Sequence, residues 1–160
     1  MLFRVVDMLK KKLGLNAIER GWFTGGKYIS NCFKIPSTLT IPEDCKYIGL
    51  NAFHSCYGLR KVIISRRSVV EIGIGAFWGC VGLEKVTVPE SCKRIGEVAF
   101  RGCEKLREVI IPEDVDEIGD DAFKGCKRAI IILKKPRYKF INIGDHAFSG
   151  CRHVKEEVGS

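Results

Sequence analysis

The sequence predicts a repeat solenoid, a coil of stacked turns that is mostly β and irregular and is closed at its N-terminal end by a helix. Two observations carry this. The pattern Ile-Gly-x-x-Ala-Phe-x-x-Cys occurs five times, from Ile48, Ile72, Ile95, Ile118 and Ile143. Its return every 23 to 25 residues is the mark of one supersecondary unit stacked on copies of itself. Within each unit a segment of the form Leu-x-x-Val-x-Ile alternates, as in Leu59, Val62, Ile64 and Leu83, Val86, Val88. That alternation predicts one short, half-buried strand per turn, hence a parallel sheet along one side of the coil. Function in such a molecule lies on an extended surface rather than in a cleft.

A stack of coils exposes apolar edges at its ends and needs caps there. Residues 1–20 supply the first: Leu2, Val5, Val6, Leu9 and Leu13 recur at helical spacing, with Arg4, Lys10, Lys11 and Lys12 largely elsewhere, which predicts an amphipathic cap helix. Residues 21–160 then form the solenoid, a degenerate first turn (Thr24, Gly25, Ile29, Cys32) followed by five full repeats.

Each repeated position has a physical reason. Gly49, Gly73, Gly96, Gly119 and Gly144 share one phase, as expected for a positive φ or a close neighbouring backbone. Ala52 and its four equivalents are small where bulk would push successive coils apart. Phe53, Phe77, Phe100, Phe123 and Phe148 are expected to form an internal aromatic stack. Pro89 and Pro112 follow their strands directly, where a missing donor ends the ladder and turns the chain.

The cysteines are in phase with the repeat. Cys56, Cys80, Cys103, Cys126 and Cys151 each lie three residues after the repeated Phe, and Cys45 and Cys92 occupy a slot that the next copy fills with Val115. A position that exchanges Cys with Val is used as a small hydrophobe, so reduced, inert thiols are expected rather than disulfides or metal ligands. There is no Cys-x-x-Cys, and His146, Cys151 and His153 lack a fourth partner for zinc.

These residues closely resemble the BspA-like class of leucine-rich repeats, whose units carry the same Ile-Gly-x-x-Ala-Phe-x-x-Cys-x-x-Leu-x-x-Val-x-Ile-Pro run. The resemblance covers about residues 24–154. It implies a leucine-rich-repeat solenoid, a right-handed coil with a concave parallel β-sheet, in a group associated with protein binding and, in many members, with cell-surface adhesion. It implies no catalytic residues.

Size and charge narrow the classes further. The chain has 160 residues and a formal charge of +8, which suits one domain with a basic exterior. Its longest apolar stretch, residues 129–133, is far too short for a membrane span, and residues 1–15 carry charges where a signal peptide needs an unbroken apolar core. A cytoplasmic location is therefore expected. No Gly-Lys-Ser/Thr phosphate loop or nucleophile signature occurs, so neither catalysis nor a cofactor or metal is expected.

With Leu59, Val62 and Ile64 facing inward, two columns point outward from the sheet: Thr38, Lys61, Lys85, Glu108, Ile131 and Thr40, Ile63, Thr87, Ile110, Leu133. An exposed apolar stripe flanked by charge is how a protein interface looks before its partner arrives. The predicted partner-binding residues are thus Lys61, Ile63, Lys85, Thr87, Glu108, Ile110, Ile131 and Leu133, the partner being another protein with an acidic surface. A small stand-alone inhibitor or adaptor fits this pattern. The alternative reading is nucleic-acid binding through the basic run 127–139, by Lys134, Lys135, Arg137, Tyr138 and Lys139, where cations interleave with an aromatic. The last segment, 152–160, has two apolar residues, Val154 and Val158, with which to cover the final Phe. A homodimer through the C-terminal coil follows as a further expectation.

Overall fold

A computed structural model describes residues 22–23, 36–41, 43 and 45–157. The expected cap helix over 1–20 and the first-turn residues Thr24, Gly25, Ile29 and Cys32 lie outside the described residues. Among the described residues twelve strands follow one another: β1 (Trp22–Phe23), β2 (Thr38–Ile41), β3 (Tyr47–Ile48), β4 (Lys61–Ile64), β5 (Glu71–Ile72), β6 (Lys85–Val86), β7 (Arg94–Ile95), β8 (Glu108–Ile111), β9 (Glu117–Ile118), β10 (Ile130–Leu133), β11 (Asn142–Ile143) and β12 (His153–Glu156). Among the described residues the sole helical element is a 3-10 turn at Arg137–Lys139.

The even-numbered strands are the expected ones. Their alternation is direct: β2, β4 and β8 each read exposed, buried, exposed, buried. They pair in parallel, in two groups, β2-β4-β6 and β8-β10-β12. The odd-numbered strands form a second parallel sheet of six, in the order β1-β3-β5-β7-β9-β11, built on the residue before each repeated Ile and the Ile itself. Each coil therefore contributes two strands, and neighbouring coils sit about 4.8 Å apart.

The repeated Gly follows the second strand, and its role is close approach. A Cβ at Gly73 would lie 2.6 Å from the Ile48 carbonyl oxygen, and one at Gly96 would lie 2.7 Å from the Ile74 nitrogen. Positive φ falls elsewhere in the unit, at Gly79, Gly102, Gly125 and Gly150 just before the repeated Cys.

The arc carrying Ala-Phe is bonded coil to coil as well. The Phe53, Phe77, Phe100 and Phe123 amides donate to the Ala76, Ala99, Ala122 and Ala147 carbonyls at 2.7, 2.8, 2.7 and 2.7 Å. Their rings stack inside, with centroids 5.3 Å apart for Phe53 and Phe77, 5.3 Å for Phe77 and Phe100, and 5.1 Å for Phe100 and Phe123. The stack ends at Phe148, which is 6.0 Å from Phe123 and partly buried. Beside it runs a line of thiols that act as donors too. Cys80, Cys103, Cys126 and Cys151 each give a hydrogen bond to the Phe carbonyl one coil back, at 3.0, 3.2, 3.1 and 3.3 Å.

Candidate functional site

The face of the longer strands carries most of the predicted partner-binding residues. Lys61 and Lys85 are direct register partners, as are Thr40 and Ile63. Ile63 and Ile110 are 37% and 44% exposed, and Lys85, Thr87 and Glu108 are exposed with them. Strand β6 is only two residues long and is not laddered to β8; the backbone bond crossing there is Arg107 N–H to the Glu84 carbonyl at 3.2 Å. Above that bond lies an open groove of about 1070 Å³. Lys85, Thr87, Glu108 and Ile110 line it together with Arg66, Arg107 and Lys134 and with Glu84, Glu90 and Glu113, Arg66 being paired with Glu90.

Two predicted residues are misplaced. Ile131 and Leu133 are fully buried and face the core, so they do not belong to the outward columns. The register explains it. Ala129 takes the slot of Leu106, each donating to the carbonyl of the Cys three residues before it. In the earlier coil Arg107 then intervenes before the strand, whereas Ile130 follows Ala129 at once and pairs with Glu108. One residue fewer turns every side chain of β10 to the opposite face. Ile130 and Ile132 are the outward residues, paired with Glu108 and Ile110, and Ile132 is only 6% exposed. Four successive apolar residues gave no alternation from which to read this phase.

The basic run is largely neutralised by acids distant in sequence. Lys127 pairs with Glu104 at 2.7 Å, Lys134 with Glu157 at 3.0 Å, Lys135 with Asp116 at 2.9 Å and Arg137 with Glu156 at 3.6 Å. Lys135 is 8% exposed, with its ammonium 4.6 Å from the centre of the Phe140 ring. Its hydrogen bond to Asp116 holds that carboxyl below the ordinary aspartate range. The Arg137 guanidinium covers Phe148 at 5.5 Å. Tyr138, 83% exposed, and Lys139 remain on the surface.

The thiols fit the expectation of inert core groups with one correction. Cys80, Cys92, Cys103, Cys126 and Cys151 are free thiols and Cys45 is buried, whereas Cys56 is disulfide-bonded. Burial pushes the Cys80 and Cys92 thiols up to about 12, which leaves almost no thiolate at neutral pH. Among the described residues no group of three or more His, Cys, Asp or Glu is placed to hold a metal, and no helix is long and apolar enough to cross a membrane.

Two parallel ladders per coil, an internal Phe stack and inward Leu, Val and Ile define a leucine-rich-repeat solenoid. The sequence matches the BspA type leucine rich repeat region in six copies over residues 24–156. The chain belongs to that family. Its fold is similar to that of a leucine rich cell surface protein from Faecalibacterium prausnitzii A2-165 (28% identity, TM-score 0.62, 78% of this chain and 32% of that one). It is similar also to a leucine-rich repeat protein from Bacteroides ovatus ATCC 8483 (25%, 0.56, 82% and 48%). The T. pallidum leucine rich repeat protein (23%, 0.58, 76% and 71%) shares the fold. The chain thus spans about a third of the length of the F. prausnitzii protein. No curated protein matches the sequence. Leucine-rich-repeat solenoids commonly mediate protein interactions, and the family is generally non-enzymatic.

Proposed function

We propose that this chain is a non-catalytic protein-binding module whose face of longer strands receives another protein with an acidic surface, in the manner of a small inhibitor or adaptor. The observation that carries the reading is the exposed column of Ile63, Thr87 and Ile110 beside the paired Lys61 and Lys85. Two lysines side by side across a ladder repel one another, and neither has an acidic partner among the described residues. An incoming carboxylate would relieve that repulsion and speed encounter, while the isoleucines lose water on contact. A rigid sheet limits the ordering cost of binding. Ile131 and Leu133 have no part in this surface.

The nucleic-acid reading draws no comparable support, because Lys134, Lys135 and Arg137 already face carboxylates. The test uses a photo-crosslinking residue at position 87, with a second version at position 124 as control. Cross-links to protein at position 87 that vanish in the Ile63→Glu/Ile110→Glu variant are the expected result. Cross-links indifferent to that variant would overturn the reading. Cross-links to nucleic acid, lost linearly in log-log terms as salt rises, would replace it with the alternative.

A further inference from the structure

The arc that runs from each short strand to the next long strand is charged in most coils and neutral in two. Residues 47–59 and 72–83 contain no Asp, Glu, Lys or Arg. On these two adjacent coils Leu50, Tyr57, Ile74, Trp78 and Val81 are 52%, 56%, 43%, 40% and 41% exposed, with His54 edge-on to Trp78 at 4.8 Å. The next coils fill the slots of Ile74, Trp78 and Val81 with Glu97, Arg101 and Glu104, then with Asp120, Lys124 and Lys127. Charge is thus compatible with these turns, and its absence from two neighbours leaves a contiguous apolar face. Scattered exposed apolar residues need no explanation, but a patch of them does.

We propose that this face is where a second copy of the chain docks, giving a two-fold dimer. Charge selects the occupant. Each copy carries +8, and close approach through arcs bearing net positive charge would be repulsive, whereas this arc has no charged residue of its own and the Arg60 guanidinium beside it is turned onto the Tyr57 carbonyl at 3.1 Å. The pattern is also self-complementary. A two-fold axis lying in the plane of the contact, running along the chain direction between the two coils, sets Leu50 opposite Ile74 of the partner subunit, His54 opposite the partner's Trp78, and Tyr57 opposite the partner's Val81. Such a contact is isologous and closes at two copies. The exposed apolar area is on the order of 500 Å² per copy, so about 1,000 Å² in all, at the lower edge of specific interfaces. The dimer is accordingly weak and concentration-dependent, and it tightens with added salt as the residual repulsion between like-charged copies is screened.

Analytical ultracentrifugation of the full chain between about 5 and 500 μM tests this. The disruptive variant is Ile74→Glu/Trp78→Lys, which copies the residue types at Glu97 and Lys124 and so suits the local turn; unchanged circular dichroism verifies its fold. Ile110→Glu on the strand face and Ile141→Glu on the C-terminal coil are the controls. The expected result is a monomer–dimer equilibrium for the wild type and both controls, with at least a tenfold loss of association in the double variant. A wild type that stays monomeric at the highest concentration overturns the proposal. So does a dimer that survives the double variant, and loss with Ile141→Glu alone would move the contact to the C-terminal coil. Neither result bears on cross-linking at position 87, so this proposal and the proposed function fail separately.

Discussion

Replacing Phe100 by Ala removes the middle of the internal stack, and the structure sets how much that should cost. The Phe100 ring is fully buried and lies nearly parallel to Phe77 and Phe123, at 8° and 9°. No backbone change is needed to accommodate Ala, so the lost side chain leaves a cavity between two rings that cannot close on each other, because the ladders on either side hold the coils at fixed spacing. Truncation of a buried Phe costs about 3 to 5 kcal/mol, and the loss of two ring contacts places Phe100 at the upper end. Against a total stability of about 5 to 15 kcal/mol, that is enough to uncouple the coils before it from those after it. Phe148 is the internal control. It has one ring neighbour, tilted by 20° at 6.0 Å, and is only partly buried, so its truncation should cost roughly half as much. Urea unfolding followed by far-ultraviolet circular dichroism, and in parallel by tryptophan fluorescence, measures both variants. In a repeat stack, stability is a sum of coil and neighbour terms, so Phe100→Ala should also lower the apparent m-value as the two halves melt separately. Equal losses at the two positions, or a loss under about 2 kcal/mol at Phe100, would refute the claim that stacking of like on like holds the coils together.

Three further outcomes follow from single residues. Val98 sits at φ 49, in the slot held by Asn51, Gly75, Asp121 and His146, and a β-branched residue is strained there. Val98→Asn should stabilise by about 1 kcal/mol, raising the melting temperature by about 2 to 4 °C; a lower melting temperature would contradict the assignment. The depressed Asp116 carboxyl contributes stability that is present above its unfolded pKa and is lost as pH falls through its lower folded pKa. The urea midpoint of the wild type should therefore exceed that of Asp116→Asn at pH 7 and converge with it as pH falls below the ordinary aspartate range, whereas a constant gap would mean that the Lys135 contact is not the cause. Ile131→Lys should cost more than about 3 kcal/mol by burying a charge, while Ile63→Lys should stay within about 0.5 kcal/mol. Equal, small effects on the denaturation midpoints would restore the sequence-based phase for β10.

The parts of this molecule that could be read in advance are those where one residue type recurs with one environment. A Phe at each of five equivalent positions can stack only on itself, and a Cys that alternates with Val can only be packed as a small apolar group. The second ladder was harder to read because its strands are two residues long, as in Glu71–Ile72, and two residues cannot display an alternation. The same limit misled the reading of β10, where Ile130, Ile131, Ile132 and Leu133 are all apolar and one missing residue shifts the phase unseen.

The basic run from 127 to 139 failed to stand out in the fold for a different reason, which bears on how a solenoid distributes charge. In a stack of coils the neighbour of a side chain is the residue one period away, not the residue beside it in the chain. Lys127 meets Glu104, Lys134 meets Glu157 and Lys135 meets Asp116, each about one period away. A block of like charge in sequence is therefore spread around the arc of one coil and matched by acids on the coils above and below. A true patch requires the same character in the same slot of consecutive coils. By that criterion the described surface has two candidates, the isoleucine and lysine columns on the longer strands and the neutral arc around Trp78. They lie on different sides of each coil, so a second copy on one would leave the other free for a partner.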